Sequence, residues 1–155
     1  TVGSDEKAKL AREAGADAVG VYTREDFTAA ARTFTGGRGV DVVYDGVGRS
    51  TFAGSLDSLR PRGLLVSFGN ASGAVPEFKP LLLSQKGSLY FTRPTLGAYT
   101  ETRAELRRRA EELFDWIVRG EVRVRIGARF PLTAAADAHR ALEGRATTGK
   151  VVLIP

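Results

Sequence analysis

Three short apolar segments recur along the first half of the chain at a spacing that constrains the fold. They cover residues 18–22, 40–45 and 63–68, and a helical pattern fills each gap between them. The first helix is indicated by apolar residues at helical spacing over 27–34, and the second by a stripe over 52–59. Strands that alternate with single helices favour βαβ units, and nearly continuous apolar strands favour a parallel sheet. The pattern therefore predicts an α/β fold.

The rest of the chain adds further elements to this fold. A loop rich in Gly and Pro covers residues 69–80 and separates the third strand from the next one. The other predicted elements are a helix capped by Ser4 and ending near Ala14, a strand at 88–92, a helix that begins with a capping box of Thr102 and Glu105 and ends at Gly120, a strand around 122–126, a helix over 133–142 and a strand at 151–154.

Composition excludes several classes of function. The chain of 155 residues contains no cysteine, which excludes disulfides, thiolate zinc sites and a cysteine nucleophile in these residues, and we predict no metal site. The single histidine, His139, is interpreted as a packing or surface residue. No apolar run reaches the roughly 20 residues of a membrane helix, so we expect a cytoplasmic protein without a membrane partner. The chain has no methionine at all, and we expect it to be a piece of a longer protein.

Small and polar residues concentrate at the predicted carboxyl ends of the strands, where ligands bind to open parallel sheets. Glycine there lets a ligand approach the backbone, and Asn70 and Ser72 offer directional hydrogen bonds. This pattern indicates a ligand site, although Gly and Asn also end strands that bind nothing. The strand ends in question are Tyr22, residues 45–48, residues 68–72 and residues 92–94.

The first residues of the chain indicate the kind of ligand. If Thr1 and Val2 end a strand, no carboxylate stands directly at that end to bind the ribose hydroxyls of NAD. Instead Ser4 offers a hydroxyl, and Lys7 places a cation in the first helical turn, where the helix dipole disfavours it. A ligand phosphate explains this choice. An ordinary solvated lysine remains the alternative.

Six sequence blocks resemble a known family. The chain is similar to zeta-crystallin-like quinone oxidoreductases, in the zinc-free branch of the medium-chain dehydrogenase/reductase superfamily. This resemblance implies NADP(H) as cofactor, reduction of quinones or related activated carbonyls, and a homodimer formed through the strand at 88–92. The blocks are GSDEK, AGAD, TGGRGVDVVYDGVG, LRPRGLLVSFGNASG, LLLSQKGSLYFTRPTL and EGRATTGKVVLIP.

The resemblance also implies which residues contact the cofactor. Gly3, Ser4 and Lys7 would surround the 2′-phosphate, and Tyr22 would lie along the adenosine end. The remaining implied contacts are Val47 near the cofactor, Gly69, Asn70, Ala71 and Ser72 along the ribose and nicotinamide, Thr92, Arg93 and Pro94 at the carboxamide edge, and Arg145 from the C-terminal segment. No catalytic residue is predicted in the chain.

The chain departs from the family pattern in what it lacks. By the resemblance it forms a Rossmann-like doubly wound parallel sheet without its first strand, over residues 1–130, and residues 131–155 return to an absent N-terminal catalytic domain. We therefore expect the last strand to lack a partner, and the chain alone to bind NADPH weakly with negligible turnover.

Three alternative functions remain open: an enoyl or 2-alkenal reductase of the same superfamily, a non-catalytic NADPH-binding module, and a nucleic-acid-binding protein. The net charge of +5 prompts the last of these. It is disfavoured, because the chain lacks a basic stripe with interleaved aromatic residues.

Overall fold

The computed structural model describes residues 1–144 and 147–155. Over these residues, no helix has the length and apolar character needed to cross a membrane. In chain order the elements are helices α1 (Asp5–Glu13) and α2 (Phe27–Phe34), strand β1 (Val40–Asp45), helix α3 (Phe52–Ser58), strand β2 (Leu59–Ser67), helix α4 (Leu81–Gln85), strand β3 (Tyr90–Thr92), helices α5 (Leu96–Tyr99) and α6 (Arg103–Val118), strand β4 (Ile126–Pro131), a 3-10 turn (Leu132–Ala134), helix α7 (Ala135–Glu143) and strand β5 (Lys150–Ile154).

The chain folds into two compact units, Thr1–Ala98 and Tyr99–Pro155. The boundary predicted from the sequence, after residue 130, lies inside β4. That prediction concerns the division of a longer protein into domains, and it stays a prediction.

The first unit is built on a parallel sheet in the order β1-β2-β3. Its core forms where α3 covers the middle strand: Leu56 on the helix and Leu65 on the strand are almost fully buried. Rings from later segments complete this core, since Phe78 and Phe91 lie 5.3 Å apart between ring centroids. The apolar strands and the helix between them are therefore confirmed as a βαβ unit.

The predicted strand at residues 18–22 is wrong in its extent, because only one bridge forms there, between Val2 and Val21. Val2 donates its N–H to the carbonyl of Gly20 and accepts from the N–H of Tyr22, both at 3.0 Å. A longer ladder does not form here, because Val2 is followed two residues later by Ser4, the N-cap of α1. Backbone pairing is what defines a strand, and here only one residue on each side can pair.

A gap separates this bridge from β1. Two cavities of about 340 and 320 Å³ lie in this gap, and both are lined by Thr1 and by Val40 of β1. A doubly wound sheet in the order 3-2-1-4-5-6 has its first strand between the second and the fourth. The bridge, the gap and the order β1-β2-β3 match that arrangement with one strand missing, which confirms the predicted fold class.

The second unit contains the long helix α6 and a two-stranded parallel sheet. The predicted capping box is confirmed: the Thr102 hydroxyl accepts from the N–H of Glu105, and the Glu105 carboxylate accepts from the N–H of Thr102. In contrast, the strand predicted at 122–126 is wrong, since the observed strand begins at Ile126. The prediction that the last strand lacks a partner is also wrong, because β5 pairs with β4 at five positions, with a register shift between Ile126 and Ala128.

Candidate functional site

Two loops meet at the carboxyl ends of β1 and β2. The first loop comprises residues 46–50 and the second loop residues 68–73. Backbone hydrogen bonds join them along their length, so the two loops form one surface. These bonds run from Ala71 N–H to Gly46 C=O (3.3 Å), from Ser72 N–H to Val47 C=O (2.8 Å) and from Arg49 N–H to Gly73 C=O (3.0 Å).

Glycine is required where the two loops touch. A Cβ on Gly69 would lie 2.3 Å from the carbonyl oxygen of Gly46, and a Cβ on Gly48 would lie 2.4 Å from that of Gly73. Gly48 also has a φ of 89°, which side chains rarely adopt. The glycines that the sequence placed at these strand ends therefore allow the loops to pack backbone against backbone.

Asp45 is buried beneath the first loop, with 5% of its surface exposed. Its Oδ1 accepts from the N–H groups of Val47 (2.8 Å) and Gly48 (3.0 Å), and its Oδ2 accepts from the hydroxyls of Thr51 (2.8 Å) and Ser55 (2.7 Å). Burial acts to raise the pKa of Asp45, but the four donors outweigh it and hold the pKa below its usual value. By accepting from the two N–H groups of the turn, Asp45 stabilises the first loop.

A second cluster of predicted site residues lies at the start of α1. The Ser4 hydroxyl caps the helix by accepting from the N–H of Lys7 at 3.3 Å. Gly3 lies against Tyr22, since a Cβ there would be 2.9 Å from the Tyr22 hydroxyl. The nearby carboxylate of Asp5 forms a bidentate ion pair with Arg24 at 2.5 and 2.8 Å. This pairing offsets the negative charge closest to the helix N-terminus.

The cavity of about 340 Å³ connects the two parts of the site. Tyr22 lines it from the side of the α1 cluster, and Gly46 and Val47 line it from the first loop. Apolar atoms of Phe27 and Val42 form other parts of the wall. A ligand in this cavity can therefore contact Tyr22 and the first loop together.

A second cavity, of about 570 Å³, lies beside the second loop. It is lined by Asn70 and Arg93 and by the rings of Phe78 and Phe91. The Arg93 guanidinium donates to the backbone carbonyl of Ser67 at 3.1 Å, so this side chain is held to the strand end.

The outcome for the predicted site residues is uneven. Thr92 is the last residue of β3 and is partly buried, and Pro94 follows two residues later. Arg145 lies outside the described residues. The sequence placed Asp45 at a strand end but did not predict its network of donors, although the short polar spacing from Asp45 to Thr51 and Ser55 was a usable signal for it.

The donor side chains that the structure describes are not grouped as in a metal centre. Among residues 1–144 and 147–155, no group of three or more His, Cys, Asp or Glu side chains is arranged to hold an ion. We therefore derive no chemistry through a metal for these residues.

Parallel strands with intervening helices, and a ligand groove at their carboxyl ends, define a Rossmann-like α/β domain. The family model for zinc-binding dehydrogenases matches residues 14–153. The chain belongs to this family.

Individual relatives agree with that assignment and with the predicted resemblance, which is thereby confirmed. The chain is 52% identical over 155 residues to a quinone oxidoreductase of Pseudomonas aeruginosa, covering 100% of this chain and 48% of the relative. It is 42% identical over 156 residues to a 2-haloacrylate reductase of Burkholderia sp, covering 100% of this chain and 47% of that protein. The crystal structure of Escherichia coli quinone oxidoreductase complexed with NADPH superposes with a TM-score of 0.95 at 49% identity, covering 99% of this chain and 48% of that one. The chain spans about half the length of these proteins.

Proposed function

We propose that this chain is the cofactor-binding part of an oxidoreductase that transfers a hydride from NADPH to quinones or related activated carbonyl compounds. The observation that carries the choice of cofactor is the cluster at the start of α1. There the Ser4 hydroxyl accepts from the backbone N–H of Lys7 and Tyr22 lies against Gly3, while the carboxylate of Asp5 is paired with Arg24. To bind a ribose 2′-hydroxyl, a carboxylate at the start of α1 would have to be unpaired. An unpaired carboxylate there would also repel a 2′-phosphate.

The loops support the same proposal for the other end of the cofactor. In our proposal Gly3, Ser4, Lys7 and Tyr22 hold the adenosine end, and Val47 with the second loop holds the ribose and nicotinamide end. The further cofactor contacts that we propose are Thr92, Arg93, Pro94 and Arg145. A bound nicotinamide supplies the hydride, and the chain's own residues orient it and limit the access of water.

The reaction itself is inferred from the relatives. The most similar ones cited above are named quinone oxidoreductases, and one is solved with NADPH. A second candidate is reduction of an activated C=C bond, which the 42% identity to a 2-haloacrylate reductase favours. Assaying the whole protein with NADPH against a quinone and against a haloacrylate would separate the two candidates by which substrate is turned over faster.

The cofactor proposal is tested by titrating the purified chain with NADPH and NADH by calorimetry. We expect weak binding with a preference for NADPH. Lys7→Ala should reduce this preference about tenfold, or about 1.4 kcal/mol, because it removes a cation that contacts a phosphate. Lys9→Ala is the matched control, since Lys9 lies on the same helix, is well exposed and pairs with Glu13.

Equal affinity for NADPH and NADH in the unaltered chain would refute the proposed cofactor. A loss of preference in Lys9→Ala as large as in Lys7→Ala would show that a general surface charge, and not this cluster, attracts the phosphate. Negligible quinone turnover by the chain alone is a further expectation, and turnover near that of intact relatives would contradict it.

We also propose a homodimer and a cytoplasmic location, and we expect no nucleic-acid partner. The proposed dimer contact is the strand at 88–92. In the described part of the first unit, β3 is an edge strand that pairs only with β2, and the Tyr90 side chain is 63% exposed. Light scattering of the whole protein should show a dimer for the wild type and a smaller species for Tyr90→Lys, which places a charge at an exposed position of this edge strand.

A further inference from the structure

We propose that Ser72 is a positioning residue, whose hydroxyl locks the first loop to the second, and that it does not act as a direct hydrogen-bond donor to the cofactor. The inference rests on the proposed function for its consequence, which is the affinity for NADPH. The lock itself is a property of the ligand-free chain. The two parts can therefore be tested separately.

The Ser72 hydroxyl already forms hydrogen bonds to other residues of the protein. Its single O–H donates to the carbonyl of Val47 at 2.8 Å, and its oxygen accepts from the N–H of Ser50 at 3.0 Å. A serine hydroxyl has one donor. A ligand that accepted from this hydroxyl would have to break its bond to Val47. The Ser72 O–H therefore donates within the chain, and not to a ligand as the sequence suggested.

Ser72 holds the first loop at two points. Its hydroxyl bonds to the loop at Val47 and at Ser50, three residues apart, and its backbone N–H reaches the same Val47 carbonyl at 2.8 Å. A single side chain therefore spans the turn that contains Gly48. Because Gly48 has no side chain to pack, the turn is held by hydrogen bonds, and those of Ser72 and Asp45 contribute together with the bond from Arg49 N–H to Gly73 C=O.

The backbone groups of the first loop are satisfied between Ser72, Asp45 and their neighbours. Asp45 accepts from the N–H groups of Val47 and Gly48. Ser72 takes the Val47 carbonyl and the Ser50 N–H, and the Gly73 carbonyl accepts from the Arg49 N–H. A loop whose polar groups are paired before binding loses little conformational freedom when a ligand arrives, and this raises affinity.

Asn70 provides the contrast within the same loop. It is exposed and lines the larger cavity, and no hydrogen bond of its side chain is found among the described residues. Of the two polar side chains that the sequence singled out, Asn70 is thus placed for a ligand contact and Ser72 for holding the loop.

The test compares Ser72→Ala with Ser58→Ala. Ser58 is a buried serine whose hydroxyl also donates to a backbone carbonyl at 2.8 Å, that of Gly54, but it lies in α3 outside both loops. Amide hydrogen exchange of the ligand-free chain is measured by NMR. Ser72→Ala should speed exchange at Arg49 and Ser50 by about tenfold, the effect of losing one or two ordinary hydrogen bonds. Ser58→Ala should leave these two amides at the wild-type rate.

The same variants are then titrated with NADPH and with 2′,5′-ADP, which carries only the adenosine end. Ser72→Ala should weaken NADPH about tenfold and leave 2′,5′-ADP unchanged, whereas general unfolding would weaken both. Ser72→Cys, which keeps a weak donor, should show intermediate exchange, and it carries the test if the alanine variant does not fold.

Wild-type exchange rates in Ser72→Ala would overturn the proposal. So would weaker NADPH binding without faster exchange, because that result would identify Ser72 as a direct ligand contact. Failure of the wild-type chain to bind either nucleotide would refute the proposed function, while the exchange rates would still decide whether Ser72 locks the loops.

Discussion

Replacing Asp45 with Asn should destabilise the first unit in a way that depends on pH. Asn keeps an oxygen for the N–H groups of Val47 and Gly48, but it places an amide where Oδ2 accepts from the hydroxyls of Thr51 and Ser55. Hydrogen bonds to a charged acceptor contribute about 1 kcal/mol more than neutral ones. Two bonds lose the charge of their acceptor and two lose the acceptor itself. Offset by the lower cost of burying a neutral amide and by reorientation of the two hydroxyls, these losses give an expected destabilisation of about 2 kcal/mol at pH 7.

The pH dependence follows from the direction of the pKa shift. Because the folded state holds the pKa of Asp45 below its usual value, the ionised carboxylate stabilises the fold above the usual aspartate pKa of about 4. This contribution is lost as the pH falls through the lower pKa of the folded state. The stability difference between wild type and Asp45→Asn should therefore be full at pH 7 and shrink steadily below pH 4.

Urea denaturation followed by circular dichroism measures this difference at each pH. A loss of about 2 kcal/mol corresponds to a midpoint shift of roughly 1 M urea for a slope of about 2 kcal/mol/M. Asp17→Asn is the control, because Asp17 is exposed, and it should leave the midpoint in place. Equal stability of wild type and Asp45→Asn at pH 7, or a difference that grows in acid, would refute the reasoning.

Three further predictions concern the core, the loop contact and the helix cap. Leu65→Ala should cost about 2–5 kcal/mol in urea denaturation, since its side chain is fully buried, while a similar loss from Leu106→Ala at an exposed position would contradict this. Gly48→Ala should strongly reduce NADPH affinity by calorimetry, because its Cβ would meet a backbone oxygen, whereas Gly97→Ala, with open space around it, should not. Thr102→Ala should lower stability by about 1 kcal/mol, with less helix by circular dichroism on heating, and an unchanged melting curve would refute the role of the cap.

The local signals in the sequence predicted those elements whose formation depends on neighbouring residues. The helix stop at Gly120, the capping box at Thr102 and the apolar strand around Leu65 all follow from side chains within a few positions. The errors came where pairing between distant segments decides the outcome. Residues 18–22 include Val19, Val21 and Tyr22, which favour strands, but only one bridge forms there. Residues 122–126 alternate β-branched residues with arginine, while the pairing with β5 starts at Ile126.

The exposed face of the sheet shows the same dependence on distant partners. Tyr44 on β1 is 74% exposed and Tyr90 on β3 is 63% exposed, although parallel sheets are usually covered on both faces. Apolar composition indicates that a sheet face is buried by another segment, but it does not say which segment. The strand prediction was correct for these residues, and no segment of the first unit buries these two side chains.

The candidate site adds a limit of a different kind. Residue type and position predicted that Asn70 and Ser72 would stand at a strand end with polar groups available, because both facts follow from the pattern of strands and turns. Which atoms those groups bond to depends on where the first loop runs, and that loop is separated from Ser72 by more than twenty residues of chain. Once the Val47 carbonyl and the Ser50 N–H lie within 3.0 Å of the Ser72 hydroxyl, its capacity as a donor is used. A polar side chain at a predicted ligand site is therefore a candidate for loop positioning as much as for ligand contact, and only its hydrogen-bond partners separate the two roles.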